Sequence, residues 1–338
     1  MMARFRPQRL LSVGSIVADI RIDVPHLPPR GGDVLGSPAS VSAGGGFNVL
    51  AAAARNGLPC AFGGQHGAGA YGTRIRLDLA REGIATLLPP SEEGDSGFCL
   101  VLVEPDGERT FITSPGVESR IGGRKLSGLD VRSSDAVFVS GYDLGYRELG
   151  SEIARWSRHF PPGVLLIVDP GPLVADIPVD TSDTVLSRAS ILTLNRREAT
   201  LLAGTHDLGG IADAVLPRLA ADALLIVRDG RTGCVLFGAG LPDAPVHVAA
   251  LSVRAIDSTG AGDTHSGVFI ASIAGGLDPI SAAARANAAA ALSVTRRGPA
   301  TAPTTPELDT FLASRPQRHA DPPAGTRARE PQSTVNRE

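Results

Sequence analysis

The sequence predicts an α/β protein: a mostly parallel sheet flanked by helices, with a small β-sheet lid near its start. Three observations carry this. From Ala136 onward, short β-branched runs alternate with helical stretches, the rhythm of a parallel sheet covered on both faces. Ahead of them, residues 15–42 and 97–114 read as short antiparallel pieces. Apolar residues make up 43% of the 338 residues and aromatics only 4%, so a large core must be built mainly from Ala, Val, Leu and Ile.

Leu10-Leu11-Ser12-Val13-Gly14 predicts a first buried strand. Residues 20–41 place Pro25, Pro28, Pro29 and Pro38 among alternating stretches such as Ile20-Arg21-Ile22-Asp23-Val24. Proline has no ladder donor, so that density predicts edge strands and turns. Asn48 to Asn56 predicts a helix stopped by Gly57 and Pro59, and 73–82 a second ended by Gly83. Ala61-Phe62-Gly63-Gly64 makes a poor buried strand. Phe98 to Val103 and Arg109 to Thr113 flank Glu104-Pro105-Asp106-Gly107, whose Pro-Asp-Gly predicts the turn of a hairpin. Strands over 136–139, 164–168, 190–194 and 223–227 then alternate with helices over 148–159, 196–203 and 211–221. Helices over 264–275 and 279–295 close the domain. Beyond Arg315 apolar residues nearly vanish, so 10–315 reads as one domain and 316–338 as a disordered tail.

Composition excludes several functions. A net charge of −3 supplies no field for nucleic acid or an anionic membrane. Lys125 is the only lysine, and Gly122-Gly123-Arg124-Lys125 follows no strand-like run, which argues against P-loop and Schiff-base chemistry. Cys60, Cys99 and Cys234 have neither disulfide nor zinc spacing and read as buried thiols in a reducing compartment. Met1 to Arg9 contains no apolar signal region, and no apolar run reaches the ~18 residues of a membrane span. The expected location is cytoplasmic. The histidines form no H-E-x-x-H pair, and no G-x-S-x-G elbow is present.

Two segments carry chemistry. Asp257-Ser258-Thr259-Gly260-Ala261-Gly262-Asp263 follows the strand-like Val253-Arg254-Ala255-Ile256 and opens a helix. Gly260-Ala261-Gly262 sets bare N–H groups at a helix N-terminus, an anion site by geometry and dipole. Asp263 in the first turn suits proton abstraction from an attacking hydroxyl, as phosphoryl transfer requires. Spacing alone leaves an ordinary helix cap equally open. The second segment, Ser42-Ala43-Gly44-Gly45-Gly46-Phe47-Asn48, lets backbone approach a ligand closely, with Asn48 able to hold a hydroxyl. Gly67-Ala68-Gly69-Ala70-Tyr71-Gly72 matches the dinucleotide fingerprint. Its ribose acid, due about 20 residues on, would fall at Glu92 or Glu93 in a polar loop, so that reading is set aside.

Together these segments resemble the ribokinase or PfkB family of carbohydrate kinases, over roughly residues 10–315. Gly44-Gly45-Gly46-Phe47-Asn48 resembles the family's N-terminal signature and Asp257 to Asp263 its C-terminal signature. Asn195-Arg196-Arg197-Glu198 resembles its N-x-x-E motif. Glu104-Pro105-Asp106-Gly107-Glu108-Arg109-Thr110-Phe111 resembles uncharacterised bacterial sugar kinases. The resemblance implies a ribokinase-like, Rossmann-like fold and ATP-dependent phosphorylation of a small sugar. It makes Asp263 the base and Gly260, Ala261 and Gly262 the anion hole. Asp19, Gly44, Gly45 and Asn48 become substrate contacts. Asn195, Arg228, Gly230, Gly233 and Asn287 become ATP contacts. Glu198 would organise Mg²⁺ through water, and Asp257, Thr259, Ser293, Arg296 and Gly298 would bind a monovalent cation, usually K⁺.

The chain departs from the pattern at Gly45, where lysine is frequent, at the aspartate missing from Gly67 to Gly72, and at His265, where phenylalanine is frequent. A homodimer through the lid is what the resemblance implies for assembly. A nucleoside kinase of the same fold is the alternative, and a non-catalytic sugar sensor a more distant one.

Overall fold

A computed structural model describes residues 6–242 and 244–314; the expected tail, 316–338, lies outside them. In chain order the strands are β1 (Arg9–Ser12), β2 (Ala18–Asp23), β3 (Ser40–Ala43), β4 (Cys60–Phe62), β5 (Ala85–Thr86), β6 (Phe98–Val103), β7 (Arg109–Ser114), β8 (Asp135–Ser140), β9 (Leu165–Asp169), β10 (Ile191–Asn195), β11 (Leu224–Arg228), β12 (Gly233–Gly238) and β13 (Val246–Ala249). The helices are α1 (Gly46–Arg55), α2 (Ala70–Arg81), α3 (Gly123–Ser127), α4 (Gly141–Gly145), α5 (Arg147–Ser157), α6 (Val179–Leu186), α7 (Arg196–Ala203), α8 (Leu208–Val215), α9 (Ala261–Ala274), α10 (Pro279–Ser293) and α11 (Thr305–Ala313).

Nine strands form one sheet in the order β13-β12-β11-β10-β9-β8-β1-β4-β5. From β11 to β5 every pairing is parallel; β12 and β13 turn back antiparallel at the edge. Alternate side chains of one strand enter opposite cores because the strand period is two. Ala136 and Phe138 of β8 pack on the α1, α9 and α10 side. Val137 and Val139 pack on the α5 to α8 side. On the first side small residues let helices touch: a Cβ on Gly267 of α9 would lie 2.5 Å from the Val49 carbonyl oxygen of α1. That close contact brings the N-terminal turns of α1 and α9 together.

The two early pieces form a single four-stranded sheet, β3-β2-β6-β7. Its outer pairs are antiparallel, as expected, but β2 and β6 pair in parallel from Ala18↔Phe98 to Asp23↔Val103. The lid is therefore one sheet with a parallel seam, not two separate hairpins.

Several expectations change. The segment at 61–64 contains a real strand, β4, buried beside β1; three residues are too few to show a period. α2 begins at Ala70, not 73, because the Asp95 carboxylate accepts from the Tyr71 and Gly72 N–H groups at 2.9 and 2.8 Å. A distant acid thus caps the helix. The expected 211–221 helix is α8 over Leu208–Val215, with Pro217 forcing a short 3₁₀ turn after it. Val253 to Ile256 is no strand; Ile256 and Asp257 donate to the Val294 carbonyl instead. The strands β12 and β13 and the helices α6 and α11 were not among the expected elements. No helix among the described residues is long and apolar enough to cross a membrane.

Candidate active site

The parallel strands end together. Ser140, Asp169, Asn195 and Arg228 are the last residues of β8, β9, β10 and β11, with Ser140 in register with Asp169 and Asn195 with Arg228. All four line a cavity of about 360 Å³, closed above by Asp19, Cys99, Phe111 and Thr113 of the lid. Open α/β sheets bind ligands at this edge because the loops beyond the strand ends diverge there.

The N-terminus of α9 faces the same cavity. Gly260 caps it with φ 71°, and a Cβ there would lie 2.1 Å from the Pro299 carbonyl oxygen, so only glycine makes this turn. The first-turn N–H groups of Gly262 and Asp263 have no intrahelical partner by position. The Ala261 N–H turns back to the Ser258 carbonyl at 3.3 Å. Asp263 Oδ2 accepts from Asn48 Nδ2 at 2.9 Å, a contact made possible by the close packing of α1 on α9. The other end of the Asn48 amide, Oδ1, is buried with no partner. An orphaned acceptor beside a carboxylate is a position for a donor such as a hydroxyl.

Electrostatics set Asp263 apart. Burial pushes its carboxyl up to about 6; the Asn48 hydrogen bond opposes this, the nearby Asp169 adds to it and Arg228 opposes it. Asp19 on β2 is pushed up to about 7, first by burial and then by the charge of Asp263. Gly44 makes room for it: a Cβ there would fall 2.1 Å from Asp19 Oδ2.

Below them Arg228 is the central cation. Its guanidinium donates to Asp169 at 2.9 and 3.3 Å, to the Gly262 carbonyl at 3.1 Å and to Ser266 Oγ at 3.2 Å, and stands 3.9 Å from Glu198. Arg228 therefore ties β9, β11 and the start of α9 into one unit. Asn195 and Glu198 form a reciprocal cap on α7: Asn195 Oδ1 accepts from the Glu198 N–H at 2.9 Å, and Glu198 Oε2 from the Asn195 N–H at 2.8 Å. Burial raises the Glu198 carboxyl; the Asn195 N–H opposes this and Asp169 adds to it. Asp169, Glu198 and Asp263 thus surround one arginine, an acidic excess suited to a cation brought in with a ligand. Among the described residues no cluster of three or more His, Cys, Asp or Glu side chains is placed to hold a metal unaided.

Of the expected residues, Asp19, Gly45 and Asn48, the run Thr259 to Asp263, and Asn195, Glu198 and Arg228 line this cavity. Others do not. Gly44 sits behind Asp19. Gly230 and Gly233 shape the β11–β12 turn, with φ 53° and 108°. Asn287 is buried and donates to the Val248 carbonyl at 2.9 Å, joining α10 to β13. Ser293 Oγ donates into its own helix, to Ala290. Arg296 reaches Glu307 at 2.8 Å. Asp257 holds Thr259 and Gly298 through their N–H groups, at 3.0 Å each. His265 is buried under the site and stacked on Phe269; burial, then Arg228, lowers it to about 3, and the Asn287 side chain opposes this.

Sequence reasoning missed Asp169, Ser140, Tyr142, Tyr146 and the lid arginines Arg21 and Arg109. Asp169 had a signal, being the acid that ends a continuous apolar strand. Arg21 and Arg109 had none, because their partner lies 236 and 148 residues away.

The nine-stranded sheet with its flanking helices and the four-stranded lid over the cavity define the ribokinase fold class. The model of the pfkB family of carbohydrate kinases matches residues 7–306, and the chain belongs to that family. It is 34% identical over 306 residues to an uncharacterised sugar kinase of Escherichia coli, YegV, covering 89% of this chain and 93% of that one. The crystal structure of a Thermotoga maritima ribokinase superposes with a TM-score of 0.76 at 23% identity, covering 91% of this chain and all (100%) of the other. An aminoimidazole riboside kinase from Salmonella enterica, solved with aminoimidazole riboside and an ATP analog, gives a TM-score of 0.71 at 23% identity, covering 90% and 100%. The protein is a carbohydrate kinase.

Proposed function

We propose that this kinase transfers the γ-phosphoryl group of ATP to a hydroxyl of a small sugar or sugar derivative, with Asp263 as general base. The observation that carries the reading is the Asp263–Asn48 pair at the start of α9, where a carboxyl raised to about 6 stands beside an unpaired amide oxygen. A base with that pKa is ionised near neutral pH yet still basic enough to take a proton. Asp19 and Asn48 hold the sugar. Asp263 removes the hydroxyl proton as the O–P bond forms and the bond to the ADP oxygen breaks. First-turn N–H groups and the helix dipole face the equatorial oxygens. Lid closure excludes water.

Mg²⁺ fits the acidic excess around Arg228. Glu198 and Asp169 would hold it by way of water and the nucleotide's phosphates, and when bound it would neutralise developing phosphate charge. A monovalent cation does not fit as built: both oxygens of Asp257, the carboxylate of the expected loop, are taken by guanidinium and N–H donors.

A specific observation favours the second reading, a nucleoside acceptor. Phe111, Phe138, Tyr142 and Tyr146 all line the cavity, including two of the chain's three tyrosines, so aromatic surface scarce in the sequence is concentrated where a base would stack. A homodimer through the lid belongs to the same reading; Ile112 on the edge strand β7 is exposed on the face turned from the cavity. Use of ATP and three free cysteines fit a cytoplasmic location.

An ATP-consumption assay across sugars and nucleosides tests the reading. Asp263→Asn is expected to lower kcat by ~10²–10⁴ with nucleotide binding kept. Near-normal turnover in that variant rules Asp263 out as the base.

A further inference from the structure

The lid reaches across to the anion-hole loop through two arginines. Arg21 of β2 donates to Asp257 Oδ2 at 2.8 Å. Arg109 of β7 donates to Asp257 Oδ1 at 3.1 Å, to Thr259 Oγ1, and through its second nitrogen to Ser258 Oγ at 2.9 Å. One guanidinium fork thus spans the three residues that lead into Gly260. The carboxylate they share is only 7% exposed, and the two arginine side chains are 22% and 24% exposed. Burial alone would raise the Asp257 carboxyl; the Thr259 hydroxyl and N–H, the Gly298 N–H and Arg21 overcome it and hold the group well below the usual carboxylate range.

The strand period explains the arrangement. Asp19, Arg21 and Asp23 alternate onto one face of β2, and Arg109, Phe111 and Thr113 onto one face of β7. The face that covers the substrate cavity through Asp19, Phe111 and Thr113 therefore also carries the groups that grip Asp257. A third pair, Arg297 with Asp23 at 4.0 Å, joins the same two bodies. Substrate cover and loop grip are one rigid surface. Two guanidinium charges at a single carboxylate also repel a small cation approaching that carboxylate.

Resting on the kinase reading above, we propose that Arg21 and Arg109 are positioning residues that stand in for a monovalent cation at Asp257, so that the lid itself completes the anion-hole loop. The enzyme then binds nucleotide without K⁺, and opening the lid loosens the loop that faces the transferring phosphoryl group.

The test is equilibrium binding of Mg²⁺ with the non-hydrolysable ATP analogue AMP-PCP, in KCl, NaCl or tetramethylammonium chloride at equal ionic strength. Wild-type affinity is expected to agree within about two-fold in all three salts. Arg21→Ala/Arg109→Ala, with its fold checked by circular dichroism, is expected to bind about ten-fold more weakly in tetramethylammonium and to recover about five-fold in KCl. Wild-type binding that depends on K⁺ overturns the proposal without any variant, which guards against a double variant that fails to fold. A folded double variant that keeps full affinity in tetramethylammonium, or gains nothing from K⁺, overturns it too. No binding by the wild type in any salt sinks the ATP reading and this proposal with it, whereas binding that requires K⁺ sinks this proposal alone.

Discussion

At the scale of single residues, two buried carboxyls stand out in the site. Burial raises both Asp263 and Asp19, the charge of Asp169 adds to the first and the charge of Asp263 adds to the second. With Asp263 as the proposed base, which must be deprotonated to act, kcat/KM is expected to rise with pH through about 6, above the ordinary carboxylate range near 4. Asn48→Ala removes a hydrogen bond that stabilises ionised Asp263, so its rising limb should move to higher pH. A profile already flat at pH 5 would contradict this account. The residue scale is also where sequence and structure agree most closely about local geometry, since Gly260 to Asp263 are contiguous and a turn followed by a helix start is a local event.

At the scale of elements, the helix starts decide how each loop presents its groups. α7 runs over Arg196–Ala203 as expected because its reciprocal cap lies within four residues, Asn195 to Glu198. α2 is capped instead by Asp95, more than twenty residues downstream, and its start was misplaced for that reason. Asp95→Ala is expected to cost about 0.5–2 kcal/mol of stability, read as a lower melting temperature, with KM for ATP unchanged because α2 supplies nothing to the cavity. A large loss of ATP affinity would show that α2 does more than support the lid. β4 and β13 escaped notice for a related reason: strands of three and four residues owe their place to the neighbours they pair with, not to their own pattern.

At the scale of the whole molecule, one sheet separates two apolar cores that share every central strand. Leu50 of α1 and Leu149 of α5, both fully buried, sit in opposite cores. Leu50→Ala and Leu149→Ala are each expected to cost about 2–5 kcal/mol and to shift one shared unfolding transition. Two resolved transitions would show that the faces melt independently. The lid is attached differently, with a small apolar cluster of its own and ion pairs to the body, which suits a part that opens.

The chain order already contained the alternation of strands and helices, the glycine turn before Asp263 and the cap at Asn195, because periodicity, turns and caps act over a few residues. Folding in three dimensions supplied what those signals do not reach. It placed Asn48 against Asp263, Asp169 under Arg228, Asp95 on α2, and Arg21 and Arg109 on Asp257. Each of these joins groups far apart in the chain. Such contacts are chosen by the packing of helices on a shared sheet and by the charges that remain to be paired once that packing is made.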